Sequence, residues 1–167
     1  MAPSLTRRMA CFVYEALILF GLGLVPGVVG AIFTAQTGHD SPWQSDTVLR
    51  VFAFVFYGIY FVWFWSRRGQ TLPMQTWHIR LEGRDGRPPS QGRALLRYFA
   101  AWVWIAPPAL LGAALRWRPW PTLGAVAVWI AFYAALSRLH PQRQFWHDAL
   151  CGTRLVPAPR ESGATRR

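Results

Sequence analysis

Four long apolar runs constrain what this chain can fold into more than any other feature of its sequence. The runs cover residues 9–33, 51–65, 98–115 and 120–139, and Glu15 interrupts the first of them. A helix that crosses a bilayer needs about 20 mostly apolar residues. None of the runs shows a polar stripe at helical spacing, so lipid is the environment that could cover each helix on all sides.

The predicted fold class is therefore all-α, a polytopic transmembrane helix bundle with four spans at about 9–33, 47–65, 98–115 and 120–139. The second span reaches the required length by including residues 47–50, with Arg50 extending to the interface. The first run could instead be a cleaved signal peptide. It is about twice as long as the apolar part of a signal, and Glu15 breaks it, so we expect a retained helix.

Composition excludes several other classes of protein. Apolar residues make up 53% of the 167 residues and charged residues 15%, whereas soluble domains have about 25% charged residues. The net charge of +11 could indicate nucleic-acid binding. The basic residues are instead separated by loop, so we expect a lipid bilayer as the partner and no nucleic acid. Two cysteines, Cys11 and Cys151, are too few for a disulfide scaffold.

The arginines also predict an orientation. All 18 basic residues are arginine, and fifteen fall on one side of the four-span arrangement: in the N-terminal tail, in the connection 66–97 and after span four. Arg50, Arg116 and Arg118 fall on the other side. Because cytoplasmic loops carry the excess of basic residues, both termini are predicted to be cytoplasmic.

The connection 66–97 is the one sizeable segment expected outside the membrane on the cytoplasmic side. Apolar and polar residues alternate over 77–81, as in a half-buried strand, and residues 83–86 form a turn signal. These features predict a small β-hairpin-like cytoplasmic loop. Ser90 is a candidate N-cap for a short helix that leads into span three.

Two further expectations concern the membrane domain, which we place at residues 1–156. Pro107 and Pro108 lie within span three and should bend or break that helix, because proline lacks a backbone donor. The outer loop over 34–47 is polar and rich in turn residues. The segment 157–167 is expected to be a disordered cytoplasmic tail.

Glu15 is the strongest candidate for a functional residue. An acidic side chain inside a span is costly and is by default a functional-site hypothesis. Arg8 lies seven residues earlier, on the same helix face and about 10 Å away along the axis. The two could pair directly or through water. Glu15 therefore either seats the end of the helix or handles an ion or a ligand.

His147 and Asp148 form the second candidate pair, and as chemistry this pair is a weak signal. Two ligands do not make a zinc site, and the other histidines have no ligand spacing. We expect no metal and no cofactor, and a turn or helix-capping role is the default for this pair. Our hypothesis is that Arg8, Glu15 and Asp148 cluster at the cytoplasmic end of the bundle.

Together these pieces resemble the RDD family of bacterial membrane proteins, named for one arginine and two aspartates. The resemblance covers about residues 7–156. Its motifs, in order, are Arg8 with Glu15, Gly69-Gln70-Thr71 followed by Ile79-Arg80-Leu81, Pro88-Pro89-Ser90 through Arg97, and His147-Asp148 followed by Gly152-Thr153. Glu15 stands where the family has its first aspartate, and Pro73 and Met74 stand where the family has glycine and lysine.

The resemblance implies a multi-pass protein of the bacterial inner membrane, for which transport is the usual suggestion. Our first hypothesis is a small ion or solute transporter that works as a homo-oligomer, since four spans are few for a monomeric carrier. The alternative is a non-catalytic accessory or assembly protein of the membrane. An enzyme is not expected, because the sequence offers neither a nucleophile–base pair nor a full set of metal ligands.

Overall fold

The computed structural model describes residues 2–37 and 46–158, and this part of the chain is mostly helical. The elements, in order, are α1 (Leu5–Thr37), α2 (Asp46–Arg68), α3 (Leu72–Thr76), β1 (Ile79–Gly83), α4 (Gln91–Ala101), a 3₁₀ turn (Trp102–Trp104), α5 (Ala106–Ala114), α6 (Pro119–Leu136), α7 (Trp146–Leu150) and β2 (Thr153–Pro157). The long helices coincide with the apolar runs.

Two of the described helices are long and apolar enough to cross a membrane. They are the 28-residue segment Leu5–Ile32 of α1 and the 18 residues of α6. A third span results if the bent pair of Gln91–Trp104 and α5 is counted as one. A further span over α2, and hence the four-span arrangement with cytoplasmic termini, stays a prediction.

The predicted break at the two prolines is confirmed. The axes of Gln91–Trp104 and α5 differ by 52°, and Pro107 and Pro108 lie in the first turn of α5. Proline is tolerated in the first turn because the backbone N–H groups there have no partner within the helix. The two prolines therefore start a new helix instead of continuing α4.

The β-structure differs from the predicted hairpin. β1 pairs antiparallel with β2 near the C-terminus, and Leu81 lies opposite Leu155 in the register. A local hairpin was the wrong expectation because Pro88 and Pro89 follow the turn, and proline cannot donate to a ladder. The turn instead leads to Ser90, whose hydroxyl accepts from the Arg93 N–H and caps α4 as predicted.

The buried core lies at one end of the bundle, around this two-stranded sheet. The apolar residues Ile79, Leu81 and Leu155 of the sheet are buried there, together with Tyr98 of α4 and Trp104. Farther along α1, large apolar side chains are exposed: Leu17, Phe20, Leu24, Val28 and Ile32. An apolar surface of this extent is typical of a helix that faces lipid.

Two predictions concern segments that are partly outside the described residues. Of the predicted outer loop, residues 38–45 lie outside, and α1 and α2 extend into the rest of it. Pro157 of the predicted tail belongs to β2, and the Ala158 N–H donates to the His78 carbonyl at 2.7 Å. Residues 159–167 lie outside the described part of the chain.

Candidate functional site

Glu15 accepts hydrogen bonds from two hydroxyl groups on other elements. The Tyr60 hydroxyl of α2 donates to Oε1 at 3.0 Å, and the Thr71 hydroxyl donates to Oε2 at 2.6 Å. Thr71 is fully buried. No ion pair joins Glu15 to Arg8 among the described residues, so the possible direct pairing is not formed and hydroxyl groups hold the acidic residue instead.

The Gly69-Gln70-Thr71 segment places the Thr71 hydroxyl against Glu15. Gly69 has a φ of +67°, and its carbonyl accepts from the Leu81 N–H at 2.7 Å. The Gln70 side chain donates to the Ile79 carbonyl at 2.8 Å. Thr71 then caps α3 by accepting from the Met74 N–H. This segment therefore connects β1 to the acidic residue of α1.

Asp148 is fully buried and forms an ion pair across the bundle. Its Oδ1 lies 2.7 Å from Nε of Arg97, on α4, and 3.3 Å from Nε2 of His147. The predicted capping role was wrong, because α7 has no side-chain cap and the buried Asp148 side chain contacts Arg97 of α4 instead. A buried carboxylate needs such a partner.

His147 is embedded in the same network. The Tyr133 hydroxyl accepts from the backbone N–H of His147 at 3.1 Å and lies 3.0 Å from its Nδ1. Burial lowers the pKa of His147 to about 4, with Asp148 opposing the shift and Arg97 adding to it. A neutral ring that accepts from Tyr133 at Nδ1 and donates to Asp148 from Nε2 fits these contacts.

Arg8 is buried, with 5% of its surface exposed. Its Nη2 donates to the Ser137 hydroxyl at 3.4 Å, and its guanidinium carbon lies 4.3 Å from the centre of the Phe145 ring. The neighbouring Arg7 instead contacts the turn between α3 and β1, where it donates to the carbonyls of Trp77 and His78. The two adjacent arginines thus have different surroundings.

A cavity of about 330 Å³ brings most of the predicted site residues together. Arg8, Glu15 and His147 contribute to its lining, as does Arg97. Asp148 does not line the cavity, but it forms an ion pair with Arg97, which does. Within the described residues, no group of three or more His, Cys, Asp or Glu side chains could hold a metal ion.

Four residues of this site were not among the predicted candidates: Tyr60, Thr71, Arg97 and Tyr133. Thr71 belongs to the Gly69-Gln70-Thr71 motif and Arg97 ends the motif that begins at Pro88. Nothing in the neighbouring sequence indicates that these two residues contact Glu15 and Asp148. The two tyrosines lie within apolar runs, where a hydroxyl group is weak evidence of function. Each contact joins residues at least 14 positions apart.

Comparison with known proteins identifies a family. The model of the RDD family matches residues 2–152, which is most of the chain. No curated protein and no solved structure matches the chain.

Proposed function

This chain belongs to the RDD family of membrane proteins, and we propose that it is a small transporter in which Glu15 handles the transported ion or a coupling proton. The protein acts in the bacterial inner membrane with both termini in the cytoplasm. Fifteen of its 18 arginines then face the cytoplasm. Glu15, Arg8 and the network around His147 and Asp148 lie at that cytoplasmic end.

The observation that carries this proposal is the position of Glu15 on the wall of the cavity. The carboxyl group lies within the apolar segment Leu5–Ile32, yet it lines a space large enough for a small solute. Ionisable residues inside spans that face a cavity mark ion and proton pathways. The hydroxyl groups of Tyr60 and Thr71 hold the carboxyl group in place.

Two further features support transport over a purely structural role. The bundle contains a helix that is broken at Pro107 and Pro108 by 52°, and broken helices are a recurrent element of transporter binding sites. Large apolar side chains on α1 and α6, including Phe20 and Val128, are exposed. These faces are available to a second copy as well as to lipid, in accordance with a homo-oligomer.

The test is ion flux into liposomes that contain the purified protein, under imposed proton and sodium gradients. Glu15→Gln should abolish the flux, because an amide cannot exchange a proton. Glu82→Gln is the matched control, since Glu82 pairs with Arg154 on the sheet and does not line the cavity. Circular dichroism and gel filtration establish that all three proteins are folded. Full flux in Glu15→Gln would overturn the proposal.

A second candidate is an accessory or assembly protein of the membrane. The Arg97–Asp148 ion pair and the Arg7 contacts with the loop favour it, because these charges fasten elements together. Under this alternative, folded wild-type protein shows no flux under either gradient, and Glu15→Gln lowers its thermal stability. The liposome experiment therefore separates the two functions.

A further inference from the structure

The cavity beside Glu15 is lined by residues of α1 from Arg8 to Leu19, which differ in chemistry along the helix. One face of α1 lines it, through residues spaced three or four positions apart: Arg8, Cys11, Phe12, Glu15, Ala16 and Leu19. Leu19 lies eleven positions after Arg8, which corresponds to about 16 Å along the helix axis. Arg8 is therefore the first of these lining residues along α1, and Leu19 is the last.

Of the charged side chains that line the cavity, Arg8 is the one that contacts neither a carboxylate nor a side chain that is bonded to one, among the described residues. Its guanidinium packs on the Phe145 ring. Arg97 is ion-paired with Asp148 at 2.7 Å, and Glu15 accepts from Tyr60 and Thr71. Asp148 contacts Arg97 and His147 through Oδ1, and its Oδ2 has no hydrogen-bond partner among the described residues. Asp148 interacts with Arg8 only electrostatically, without an ion pair.

The guanidinium of Arg8 retains unused hydrogen-bond donors although it is about nineteen-twentieths buried. Nη2 reaches the Ser137 hydroxyl, but Nε and Nη1 have no acceptor among residues 2–37 and 46–158. A buried charge without a partner is costly. Arginine donors match the oxygens of a carboxylate or a phosphate, so an oxyanion is the ligand that would satisfy Arg8.

Apart from Arg8, Glu15, Arg97 and His147, the walls of the cavity are mostly apolar. The apolar lining residues include Leu19 of α1, Trp102 of the 3₁₀ turn and Ile105 before α5. Trp102 packs on Phe54 of α2, about one turn from Tyr57, whose hydroxyl donates to the Leu19 carbonyl. A free inorganic anion would leave this surface in contact with water, whereas a hydrocarbon chain would cover it. The volume of about 330 Å³ is near the lower end of the range for small-molecule pockets, about 300–1,000 Å³, so a single short chain fits better than two.

We infer that the cavity binds a single-chain amphiphile, with an oxyanion head at Arg8 and an apolar chain that extends toward Leu19 and Ile105. As an assignment of the transported substrate this inference rests on the proposed function. Binding can nevertheless be measured without flux. Binding without flux would retain the site and overturn transport, and flux without binding would do the reverse.

The test uses the full chain in nanodiscs of phosphatidylcholine, which carries no net charge. A decanoic acid with a photoreactive diazirine in its chain labels the protein, and mass spectrometry locates the label. The expected label lies on residues around Leu19, Trp102 and Ile105, and unlabelled decanoate competes with it. Decyltrimethylammonium, which has the same chain and a cationic head, should not compete. Equal competition by the cation would overturn the inference.

Two variants separate recognition of the head from recognition of the chain. Arg8→Gln should weaken binding of the probe about tenfold or more, the loss expected for a hydrogen bond to a charged group. Arg138→Gln is the matched control, since Arg138 is exposed and next to Ser137 in the chain. Unchanged labelling in folded Arg8→Gln would overturn the assignment of the head group.

Ala101→Phe provides a second variant, because Ala101 lines the cavity and a phenyl ring there would fill it while Arg8 remains. It should abolish specific labelling even if Arg8→Gln fails to fold.

A further experiment replaces part of the phosphatidylcholine with phosphatidylglycerol, an anionic lipid with two chains. Decanoate binding should persist, and displacement by phosphatidylglycerol would show that bilayer lipid is the occupant and overturn the single-chain assignment.

Discussion

Nε of Arg97 lies 2.7 Å from Oδ1 of Asp148, and both side chains are buried. The pair joins α4 to α7, and the Arg97 guanidinium also lies 4.1 Å from the centre of the Trp65 ring on α2. Three elements from distant parts of the sequence therefore meet at one charged contact. Because desolvation offsets much of the Coulomb attraction in a buried pair, its main effect is to fix which elements pack together.

Removing one partner of this pair should be strongly destabilising. Asp148→Asn leaves the Arg97 charge buried without a carboxylate, which should cost about 3 kcal/mol of unfolding free energy. Denaturant unfolding in detergent micelles measures the loss. Glu82→Gln removes the partner of Arg154, whose side chain is 46% exposed, and should cost under about 1 kcal/mol. Similar losses in the two variants would contradict the importance of burial.

The stability of the protein should fall on acidification because of His147. Its folded pKa of about 4 lies below the usual value of 6.5, so the unfolded chain binds a proton that the folded protein resists. The contribution of neutral His147 to the free energy of unfolding is therefore fully present above pH 6.5, and it is lost as the pH falls toward 4. Between pH 7 and pH 5 the loss should be about 2 kcal/mol.

The contribution of His147 can be isolated because Asp148, Arg97 and Tyr133, the polar groups that face it, remain in His147→Gln. The variant should lose less stability than wild type over the same pH interval, by about 2 kcal/mol. Thermal melts at pH 7 and pH 5 provide the comparison. An equal loss in both proteins would assign the acid sensitivity to other groups.

Local sequence signals predicted the features that depend on neighbouring residues. The apolar runs coincide with α1 and α6, Ser90 caps α4, and Pro107 and Pro108 break a helix. Each depends on the chemistry of residues within a few positions, such as a side-chain oxygen at a helix start or a missing backbone N–H. Such features can be inferred without knowing what lies across the bundle.

Contacts between distant segments could not be inferred in the same way. β1 could in principle pair with any extended segment, and nothing in residues 77–86 indicates that its partner is Thr153–Pro157. Likewise the sequence offered Arg8, seven residues away, as a possible partner of Glu15, but Glu15 accepts from Thr71, 56 positions away. Sequence spacing indicates only partners that are close in the chain, whereas tertiary packing brings the hydroxyl groups of Tyr60 and Thr71 to Glu15.

Gly69 should tolerate substitution less well than Gly86, although both have positive φ values of +67° and +75°. A Cβ on Gly69 would lie 2.5 Å from the Leu81 carbonyl oxygen, whereas one on Gly86 meets nothing within 4 Å. Gly86→Ala should cost about 1 kcal/mol for the backbone conformation alone. Gly69→Ala should cost at least about 2 kcal/mol, because the β1 backbone must also move. Equal melting temperatures for the two variants would contradict this.

The Tyr60 hydroxyl should matter for transport as well as for folding. Tyr60→Phe removes the donor to Glu15 Oε1 while the Thr71 bond to Oε2 remains. A hydrogen bond of this kind contributes about 0.5–1.5 kcal/mol, so flux per folded molecule should fall by about twofold to tenfold if the bond is needed during transport. Tyr14→Phe is the matched control, since Tyr14 adjoins Glu15 in the chain but is exposed and packs against Trp77. Flux in liposomes under a proton gradient compares both variants with wild type. A loss of stability in Tyr60→Phe without a loss of flux would assign the Tyr60–Glu15 bond to the structure alone.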